Sequence, residues 1–292
     1  TPLSTRPQET LRPPGPLLPE RTSWLKTSLK LPFALTLVRA TPAAPVQPAL
    51  LTEALDYVRD LGVTAIWLMP FQCSPGRDDG YDISDYYCVN PAYGTLGDFV
   101  EFTHAAKQRG IRVLIDLVVN HTSDQHAWFQ EARRDPKSKY RDWYVWSEKK
   151  PPHFDQGMVF PGVQKSTWTR DPVAKQWYFH RFYKFQPDLN TSNPAVQAEI
   201  LKIMGFWIQL GVSGFRMDAV PFVISTKGAD VVRPREQYDM LRQFREFLQW
   251  RVGDSIILAE ANVLPNTDMQ YFGDAGDRMH MMFNFQVNQH LF

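Results

Sequence analysis

One unit recurs along this chain and limits its fold more than any other feature: an amphipathic helix, a glycine, then an apolar strand. The apolar side chains recur at helical spacing over residues 50–61, 97–109, 194–210 and 235–250. The runs of strand length that follow cover residues 63–70, 111–119, 212–220 and 255–261. The glycines that separate each helix from its strand are Gly62, Gly110, Gly211 and Gly253. Helices alternating with apolar strands predict an α/β fold with a parallel sheet.

The number of these units favours either a closed barrel or a doubly wound sheet. No glycine-rich phosphate loop of the GxGxxG or GxxxxGK[ST] type follows any of the strands, which argues against a nucleotide-binding sheet. In a barrel, the carboxyl ends of the strands carry the chemistry. The residues at those ends are Pro70, Asp116, Asn120 with His121, Asp218 and Glu260. Three strands that end in carboxylates are more than core packing alone requires.

Two segments depart from the repeating unit. Residues 1–23 are rich in proline and polar side chains, so we expect a disordered tail. Residues 121–193 are rich in Trp, Tyr, His, Asp and Pro and are much longer than an ordinary loop between a strand and a helix. They predict an inserted subdomain between a first barrel part, residues 24–120, and a second, residues 194–292.

Composition excludes several classes of partner. The net charge is +1, so nothing suggests a nucleic acid or an anionic membrane as partner. No run approaches the roughly 20 apolar residues of a membrane helix. Residues 25–44 resemble a signal peptide in part, but Arg39 stands where an uncharged cleavage region belongs. Cys73 and Cys88 form neither a disulfide framework nor a metal-ligand pattern, so we expect reduced thiols in a cytoplasmic protein.

Arg216 and Asp218 lie two residues apart at the end of an apolar strand, so they point to the same face of the sheet. A structural ion pair could account for them, because buried charges need partners. Glu260, at the end of the next strand, has apolar neighbours that are expected to raise its pKa, as a general acid requires. Two carboxylates that flank one site are what glycoside cleavage with retention needs. A strand-end salt bridge or a helix N-cap remains the alternative for each carboxylate alone.

These residues stand in segments that resemble a known family. DLVVNH (116–121), GFRMDAV (214–220) and ILAEAN (257–262) resemble three signature segments of the α-amylase superfamily of glycoside hydrolases, family 13, in the same order. QPDLN (186–190) is similar to the motif of the oligo-1,6-glucosidase branch. RDDGYDISDYYCVNPAYGT (77–95) and FHRFYKFQPDLN (179–190) resemble the trehalose synthases of that branch. The resemblance covers residues 51–292 and implies a (β/α)8 barrel of the TIM type.

The resemblance also implies a role for each candidate residue. Asp218 is the nucleophile, Glu260 the acid/base, and Arg216 orients Asp218. His121, Tyr81 and Asp78 bind the sugar: His121 and Asp78 through its hydroxyls, and Tyr81 by stacking on the ring. Asp116 is a structural partner at its strand end. Asn120 and Asp188 match positions that bind a structural calcium ion in relatives, whereas no other cofactor is implied.

The implied activity is retaining chemistry on a small α-glucoside such as maltose or trehalose, through a glucosyl–Asp218 intermediate. Isomerisation of maltose to trehalose is the first choice. Hydrolysis, as in an α-glucosidase or α-amylase, is the alternative within the same chemistry. A catalytically inactive fragment is the alternative from another class, because the chain stops at Phe292 after about six units. The family's third essential carboxylate would follow that point.

Two stretches differ from the family pattern. Residues 24–51 have the expected length but a Pro/Ala bias in place of the family's first strand and its acidic, glycine-rich loop. A compensated frameshift is our hypothesis for them. After Pro221, relatives carry acidic residues, some of which reach the calcium, whereas here no acid appears before Asp230. This second difference argues against calcium and against strict trehalose synthase specificity.

Overall fold

The structure is a computed structural model that describes residues 35–38, 48–231 and 233–287. Its strands are β1 (Leu35–Val38), β2 (Ala65–Leu68), β3 (Gln72–Cys73), β4 (Asp85–Val89), β5 (Arg112–Leu117), β6 (Trp146–Ser147), β7 (Trp168–Arg170), β8 (Trp177–Phe179), β9 (Gly214–Met217), β10 (Ile256–Ala259) and β11 (Met281–Met282). Its helices are α1 (Pro48–Asp60), α2 (Leu96–Gln108), α3 (Ala127–Arg134), α4 (Pro194–Gln209), α5 (Val220–Val223), α6 (Tyr238–Arg251) and α7 (Asp268–Phe272). A 3₁₀ turn spans Arg141–Trp143.

Six strands form the central sheet in the order β1-β2-β5-β9-β10-β11. Every neighbouring pair in it is parallel. The four predicted helices and their strands are confirmed, and β11 is the last strand of the about six units expected. The strands are shorter than the apolar runs predicted, because each run continues past the last ladder residue into the loops at the carboxyl edge. This is the strand order of a barrel, with six units in the described residues.

The first strand comes from the stretch that departs from the family pattern. β1 pairs in parallel with β2, with Leu35 opposite Ala65 and Val38 opposite Leu68. Residues 35–38 thus act as a barrel strand despite their unusual surroundings. Residues 1–34 and 39–47, which include the predicted tail, lie outside the described residues. The frameshift hypothesis and the predicted domain boundaries stay predictions.

The core lies between the sheet and the helices that cover it. Strand residues such as Ile115, Phe215 and Ile257 are fully buried, as are Trp207 of α4 and Phe244 of α6. The strands approach one another closely where β9 begins, because a Cβ atom on Gly214 would collide with the Ile256 carbonyl oxygen. Only glycine fits there, which accounts for the residue that opens the GFRMDAV segment.

The segment between β5 and α4 folds as a small unit over the carboxyl edge of the sheet. Its strands form an antiparallel sheet in the order β6-β8-β7. Bridges from His121 to Asp188 and from Tyr144 to Leu189 tie its two ends together. It has an apolar cluster of its own around Val145, Trp168 and Phe179. This segment brings its side chains above the strand ends of the barrel.

A second excursion, between β2 and α2, corrects one expectation. β3 and β4 pair as an antiparallel hairpin, and a disulfide joins Cys73 to Cys88 with 5.8 Å between their Cα atoms. The expectation of two reduced thiols is therefore wrong. The pair left no mark in the sequence pattern because the contact depends on the hairpin register, which brings two cysteines 15 residues apart into reach. The loop between these strands carries Asp78 and Tyr81.

Candidate active site

Arg216 lies at the centre of the carboxyl edge and contacts three carboxylates. Its Nη1 atom donates to Asp116 Oδ1 at 2.6 Å and to Asp218 Oδ1 at 2.7 Å. Its Nη2 atom lies 2.7 Å from Glu260 Oε1. The sheet register explains this meeting, since Arg216 stands opposite both Asp116 of β5 and Leu258 of β10. One guanidinium thus faces three acids, so the cluster carries excess negative charge when all three are ionised.

The three carboxylates differ in exposure. The side chain of Asp116 is fully buried and that of Asp218 is 9% exposed, whereas that of Glu260 is 33% exposed. Burial raises the pKa of Asp116 to about 7, since the favourable pull of Arg216 is partly offset by repulsion from Asp218 and Glu260. Asp116 therefore forms the closed base of the cluster, while Glu260 reaches the open side.

The electrostatics of Glu260 agree with the sequence-based expectation. Burial raises its pKa, and repulsion by Asp218 adds to that shift, while Arg216 and a backbone hydrogen bond oppose it. Burial also opposes the charge of Arg216, but its carboxylate neighbours outweigh this cost and hold its pKa well above its usual value. The cluster thus combines a permanent cation with a carboxyl that holds its proton more strongly than a free glutamate.

The backbone after Asp218 helps to fix Glu260. Ala219 adopts a left-handed conformation with φ of 49°, and its N–H donates to Glu260 Oε2 at 3.1 Å. The next N–H, of Val220, donates to the Glu260 carbonyl at 3.0 Å. Few non-glycine residues adopt this conformation, and such residues are concentrated at functional sites. The turn links the two residues after Asp218 to Glu260, Ala219 to its side chain and Val220 to its main chain.

Two aromatic residues complete the base of the cluster. The indole N–H of Trp67 donates to Asp116 Oδ2 at 3.2 Å, and the hydroxyl of Tyr81 lies 3.4 Å from the same oxygen. The Arg216 guanidinium lies 5.0 Å from the Trp67 ring centre and 5.9 Å from that of Tyr81. These distances are within the range of cation–π attraction. Both rings therefore hold the Asp116–Arg216 pair from below.

Tyr81 is positioned by the loop that precedes it. Gly80 has a φ of +97°, and a Cβ atom there would lie 2.7 Å from the Pro70 carbonyl oxygen. Only glycine permits this close approach. The carbonyl oxygen of Tyr81 lies 3.1 Å from His121 Nε2, which connects the loop to the end of β5. On the same loop, Asp78 accepts a hydrogen bond of 2.8 Å from Gln186 Nε2.

The structure therefore brings the predicted site residues together. Asp116, Arg216, Asp218, Glu260 and Tyr81 form one contact network, and His121 joins it through the Tyr81 main chain. Asp78 lies on the same loop as Tyr81 and is held from the inserted segment by Gln186.

Asn120 and Asp188, the predicted calcium ligands, are in contact but are held by a lysine. Asn120 Nδ2 donates to Asp188 Oδ2 at 3.1 Å. The Lys227 ammonium lies 2.8 Å from Asn120 Oδ1, 2.9 Å from Asp188 Oδ2 and 3.1 Å from the Leu189 carbonyl oxygen. It also donates to the Asn120 carbonyl at 3.2 Å. Its side chain is only 3% exposed.

This donor set does not fit a calcium ion. Calcium takes six to eight oxygen ligands, at about 2.3–2.6 Å. Here the oxygens of Asn120, Asp188 and Leu189 already accept hydrogen bonds from the Lys227 ammonium. Its positive charge would repel a calcium ion at the same place. Among the described residues, no group of three or more His, Cys, Asp or Glu side chains is arranged to hold a metal. The run after Pro221 thus lacks the acids that would help to bind calcium and carries Lys227, which takes the place of the cation.

Three of the contacting residues were not predicted from the sequence. Trp67 stands in a strand that otherwise looks like core, and Gln186 was noted only as part of QPDLN. Lys227 matches no motif of the family, although it lies in the run where acidic residues are missing. A lysine in a run where relatives carry calcium-binding acids is a sequence signal that a side chain supplies the cation. For Trp67 no local signal existed, because its partner Asp116 is 49 residues away.

Comparison with known proteins identifies relatives over most of the chain. The profile of the α-amylase catalytic domain matches residues 50–291. A trehalose synthase/amylase from Mycolicibacterium smegmatis is 44% identical over 282 residues, which is 94% of this chain and 47% of that protein. A trehalose synthase from Thermus thermophilus is 47% identical over 83% of this chain and 25% of its own length. An oligo-1,6-glucosidase from Bacillus cereus is 42% identical over 63% of this chain and 33% of its own.

Solved structures give the same result for the fold. A trehalulose synthase mutant in complex with Tris superposes with a TM-score of 0.79 at 31% identity, over 89% of this chain and 50% of that one. A trehalose-6-phosphate hydrolase from Bacillus licheniformis gives a TM-score of 0.77 at 32% identity, over 87% and 48%. The predicted TIM-barrel type is therefore confirmed. The chain spans at most about half the length of these relatives.

Among the residues that the structure describes, the helices are too short or too polar to cross a lipid bilayer.

Proposed function

Because this chain belongs to the α-amylase family of glycoside hydrolases, we propose that it contributes the catalytic residues of a retaining enzyme that acts on small α-glucosides. The preferred reaction is the conversion of maltose into trehalose, which the similarity to trehalose synthases supports. One observation carries the proposal: Asp218 and Glu260 are bridged by a single guanidinium at adjacent strand ends. Retaining enzymes need two carboxyl groups only about 5–5.5 Å apart.

In the first step of the proposed mechanism, Glu260 acts as general acid. Its raised pKa keeps the proton available, and its partly exposed side chain can reach the glycosidic oxygen. As the bond from the sugar C1 to that oxygen breaks, an oxygen of Asp218 bonds to C1 and forms a glucosyl–Asp218 ester. The leaving glucose takes the proton from Glu260.

In the second step, Glu260 accepts a proton from the attacking hydroxyl. For isomerisation, this hydroxyl is on C1 of the glucose that was released, which must stay in the site and turn. The new C1–oxygen bond releases the carboxylate of Asp218 and yields trehalose. When water attacks instead, the product is glucose, and the enzyme is an α-glucosidase. The motif QPDLN and the similarity to an oligo-1,6-glucosidase are the observations that support this second candidate.

The remaining residues have positioning roles in this proposal. Arg216 orients Asp218 and balances part of the charge, while Asp116 anchors Arg216. Tyr81 lies beside this pair and would form the platform under the sugar ring. Asp78 and His121 would bind its hydroxyls.

Two further statements belong to the proposal. First, no cofactor is required, and the cation that joins Asn120 to Asp188 is the Lys227 ammonium rather than calcium. Second, the protein is cytoplasmic, as the sequence predicts. The Cys73–Cys88 disulfide counts against this location, because disulfides are rare in that compartment. Cell fractionation tests it: the native protein should fractionate with cytoplasmic markers, and a purely secreted protein would contradict the proposal.

The test of the reaction is incubation with maltose, followed by separation of trehalose from glucose. It should use a protein of the relatives' length that contains these residues, alongside the 292-residue chain. Trehalose as the main product supports the isomerase, and glucose alone supports the hydrolase. Activity in the longer form only would support the alternative that the chain by itself is inactive. No product from either form, with maltose or with an aryl α-glucoside, would refute the proposed chemistry.

A further inference from the structure

A cavity separate from the candidate active site lies between the inserted segment and the loop that follows α5. Its volume is about 240 Å³. Gln156, Thr167 and Arg181 line it from the inserted segment, and Thr226, Lys227 and Ala229 from the loop. Neither Asp218 nor any other predicted catalytic or sugar-binding residue is part of the lining. The cavity is smaller than the roughly 300–1,000 Å³ of typical ligand sites, so it suits a small molecule.

Arg181 in this wall is a partly buried cation that lacks an acidic partner. Its Nη1 atom donates to the Gly157 carbonyl oxygen at 2.7 Å. Its Nε atom is buried and has no hydrogen-bond partner. The guanidinium packs between two rings, 5.2 Å from the centre of Phe179 and 5.1 Å from that of Phe222. No carboxylate of the described residues lies within ion-pair distance of it.

The acid that binds the Arg181 backbone is already neutralised by another cation. Asp188 accepts the Arg181 backbone N–H at 2.7 Å, but its charge is paired with the Lys227 ammonium at 2.9 Å. Two cations, Arg181 and Lys227, line the cavity. Asp188 balances the charge of Lys227, so the charge of Arg181 has no counter-charge. Burying a cation without a counter-charge is costly. An anion that enters the cavity would therefore supply the counter-charge that Arg181 lacks and would be bound by it.

Neutral donors surround this charge. The Thr226 hydroxyl oxygen accepts the backbone N–H of Arg235 at 2.8 Å, which leaves the hydroxyl proton to donate. Gln156, whose side-chain amide is a donor, also lines the cavity. A guanidinium together with neutral hydroxyl and amide donors is the combination that binds a phosphate group.

We propose that this cavity binds the phosphate group of a small ligand, either inorganic phosphate or a phosphorylated monosaccharide, with Arg181 as the main contact. The site is independent of the reaction proposed above. It lies on the face where the inserted segment meets the barrel, behind the aromatic pair Phe182 and Phe222, whose ring centres are 5.6 Å apart. Phe182 in turn packs on His121, with the ring centres 5.2 Å apart.

The test is calorimetric titration of the chain with inorganic phosphate, with glucose 6-phosphate and with glucose, at constant ionic strength. We expect the two phosphates to bind and glucose not to bind at this site. Arg181→Gln should weaken phosphate binding by about 10- to 100-fold, since hydrogen bonds to charged groups are worth about 1.5–3 kcal/mol. Arg170→Gln is the matched control, because it removes an exposed arginine from the same segment outside the cavity.

Two more variants test whether phosphate binds in this cavity rather than elsewhere on the chain. Ala229→Trp fills the cavity without removing a charge and should abolish binding, even if Arg181→Gln unfolds the segment. Asp218→Asn alters the candidate active site and should leave phosphate binding unchanged. Tighter binding of glucose 6-phosphate than of phosphate identifies a phosphorylated sugar as the ligand, and equal binding identifies free phosphate. No binding, or binding that survives Arg181→Gln and Ala229→Trp or is lost in Asp218→Asn, overturns the proposal.

Discussion

Arg216 donates to the fully buried Asp116 at 2.6 Å, yet burial raises the pKa of that carboxyl to about 7. Burial is the main cause and outweighs the attraction of Arg216, and repulsion from Asp218, which the same Nη1 atom also contacts, adds to the shift. The ion pair therefore does not guarantee an ionised Asp116 near neutral pH.

The first prediction concerns stability against pH. Asp116 binds its proton more strongly in the folded chain than in the unfolded one, so its contribution to the free energy of unfolding falls as pH rises from about 4 to about 7. Compared with Asp116→Asn, the native chain should lose about 1.4 kcal/mol per pH unit over that range. Urea unfolding at several pH values measures this difference. Asp254→Asn, at an exposed carboxylate, is the control, and parallel pH profiles for the native chain and Asp116→Asn would contradict the prediction.

The second prediction concerns the two proposed catalytic carboxylates. Glu260→Gln should lower kcat/KM for an aryl α-glucoside by about 10²–10⁴-fold, the usual value of general acid catalysis. The loss should shrink for substrates with better leaving groups, which need less protonation. Asp218→Asn should abolish turnover of all substrates alike. The assay uses a protein of the relatives' length, with the exposed Asp239→Asn as control, and equal losses across leaving groups in Glu260→Gln would count against its role as the acid.

A third prediction tests Trp67 as the support of Asp116. Trp67→Phe keeps a ring under Arg216 but removes the N–H that donates to Asp116 Oδ2. We expect a loss of about 0.5–1.5 kcal/mol in the free energy of unfolding, as for one hydrogen bond, or somewhat more if Asp116 is ionised. Chemical denaturation measures it. Trp250→Phe changes an indole that is 89% exposed and should have almost no effect. Equal stabilities of the two variants would show that the indole N–H contributes nothing.

The fourth prediction distinguishes Lys227 from calcium. Lys227→Met removes the ammonium and leaves Asp188 buried without its partner, which should cost about 3–5 kcal/mol. A chelator such as EDTA should leave the melting temperature of the native chain unchanged. The exposed Lys165→Met serves as the control. A clear drop in melting temperature with EDTA, restored by added calcium, would show that a metal ion holds this cluster.

The fifth prediction concerns the disulfide at the base of the loop that carries Asp78 and Tyr81. The denatured but unreduced chain should contain no free thiol, since its cysteines are Cys73 and Cys88 only. Replacement of both by serine should lower the free energy of unfolding by about 3 kcal/mol, the value for closing a loop of 15 residues. Ser84→Ala, in the same hairpin, removes only one hydroxyl and controls for local disturbance. Two thiols per denatured chain before reduction would contradict the pairing.

The sequence predicted the repeating helices and strands well, because each depends on local periodicity. It also placed Asp116, Asp218 and Glu260 at neighbouring strand ends, since the carboxyl ends of parallel strands share one edge. Lys227 and the Cys73–Cys88 pair escaped prediction for the opposite reason. Their partners are set by how loops cross in space, and Lys227 lies 107 residues from Asn120. Periodicity contains no information about such contacts.

The end of β9 is another feature that depends on a contact between distant residues and that the sequence pattern does not reveal. Residues 212–220 read as one apolar run, but β9 ends at Met217 and Ala219 turns into a left-handed conformation. Alanine at that position gives no hint of the turn. Only the Glu260 side chain, which accepts the Ala219 N–H, shows why the strand stops there.

Lys227 ties the loop after α5 to both ends of the inserted segment through one ammonium group. A metal ion in that position would dissociate on dilution and depend on supply, whereas a side chain remains at a high effective concentration because it is tethered. The contact between this loop and the inserted segment is therefore made by the chain itself.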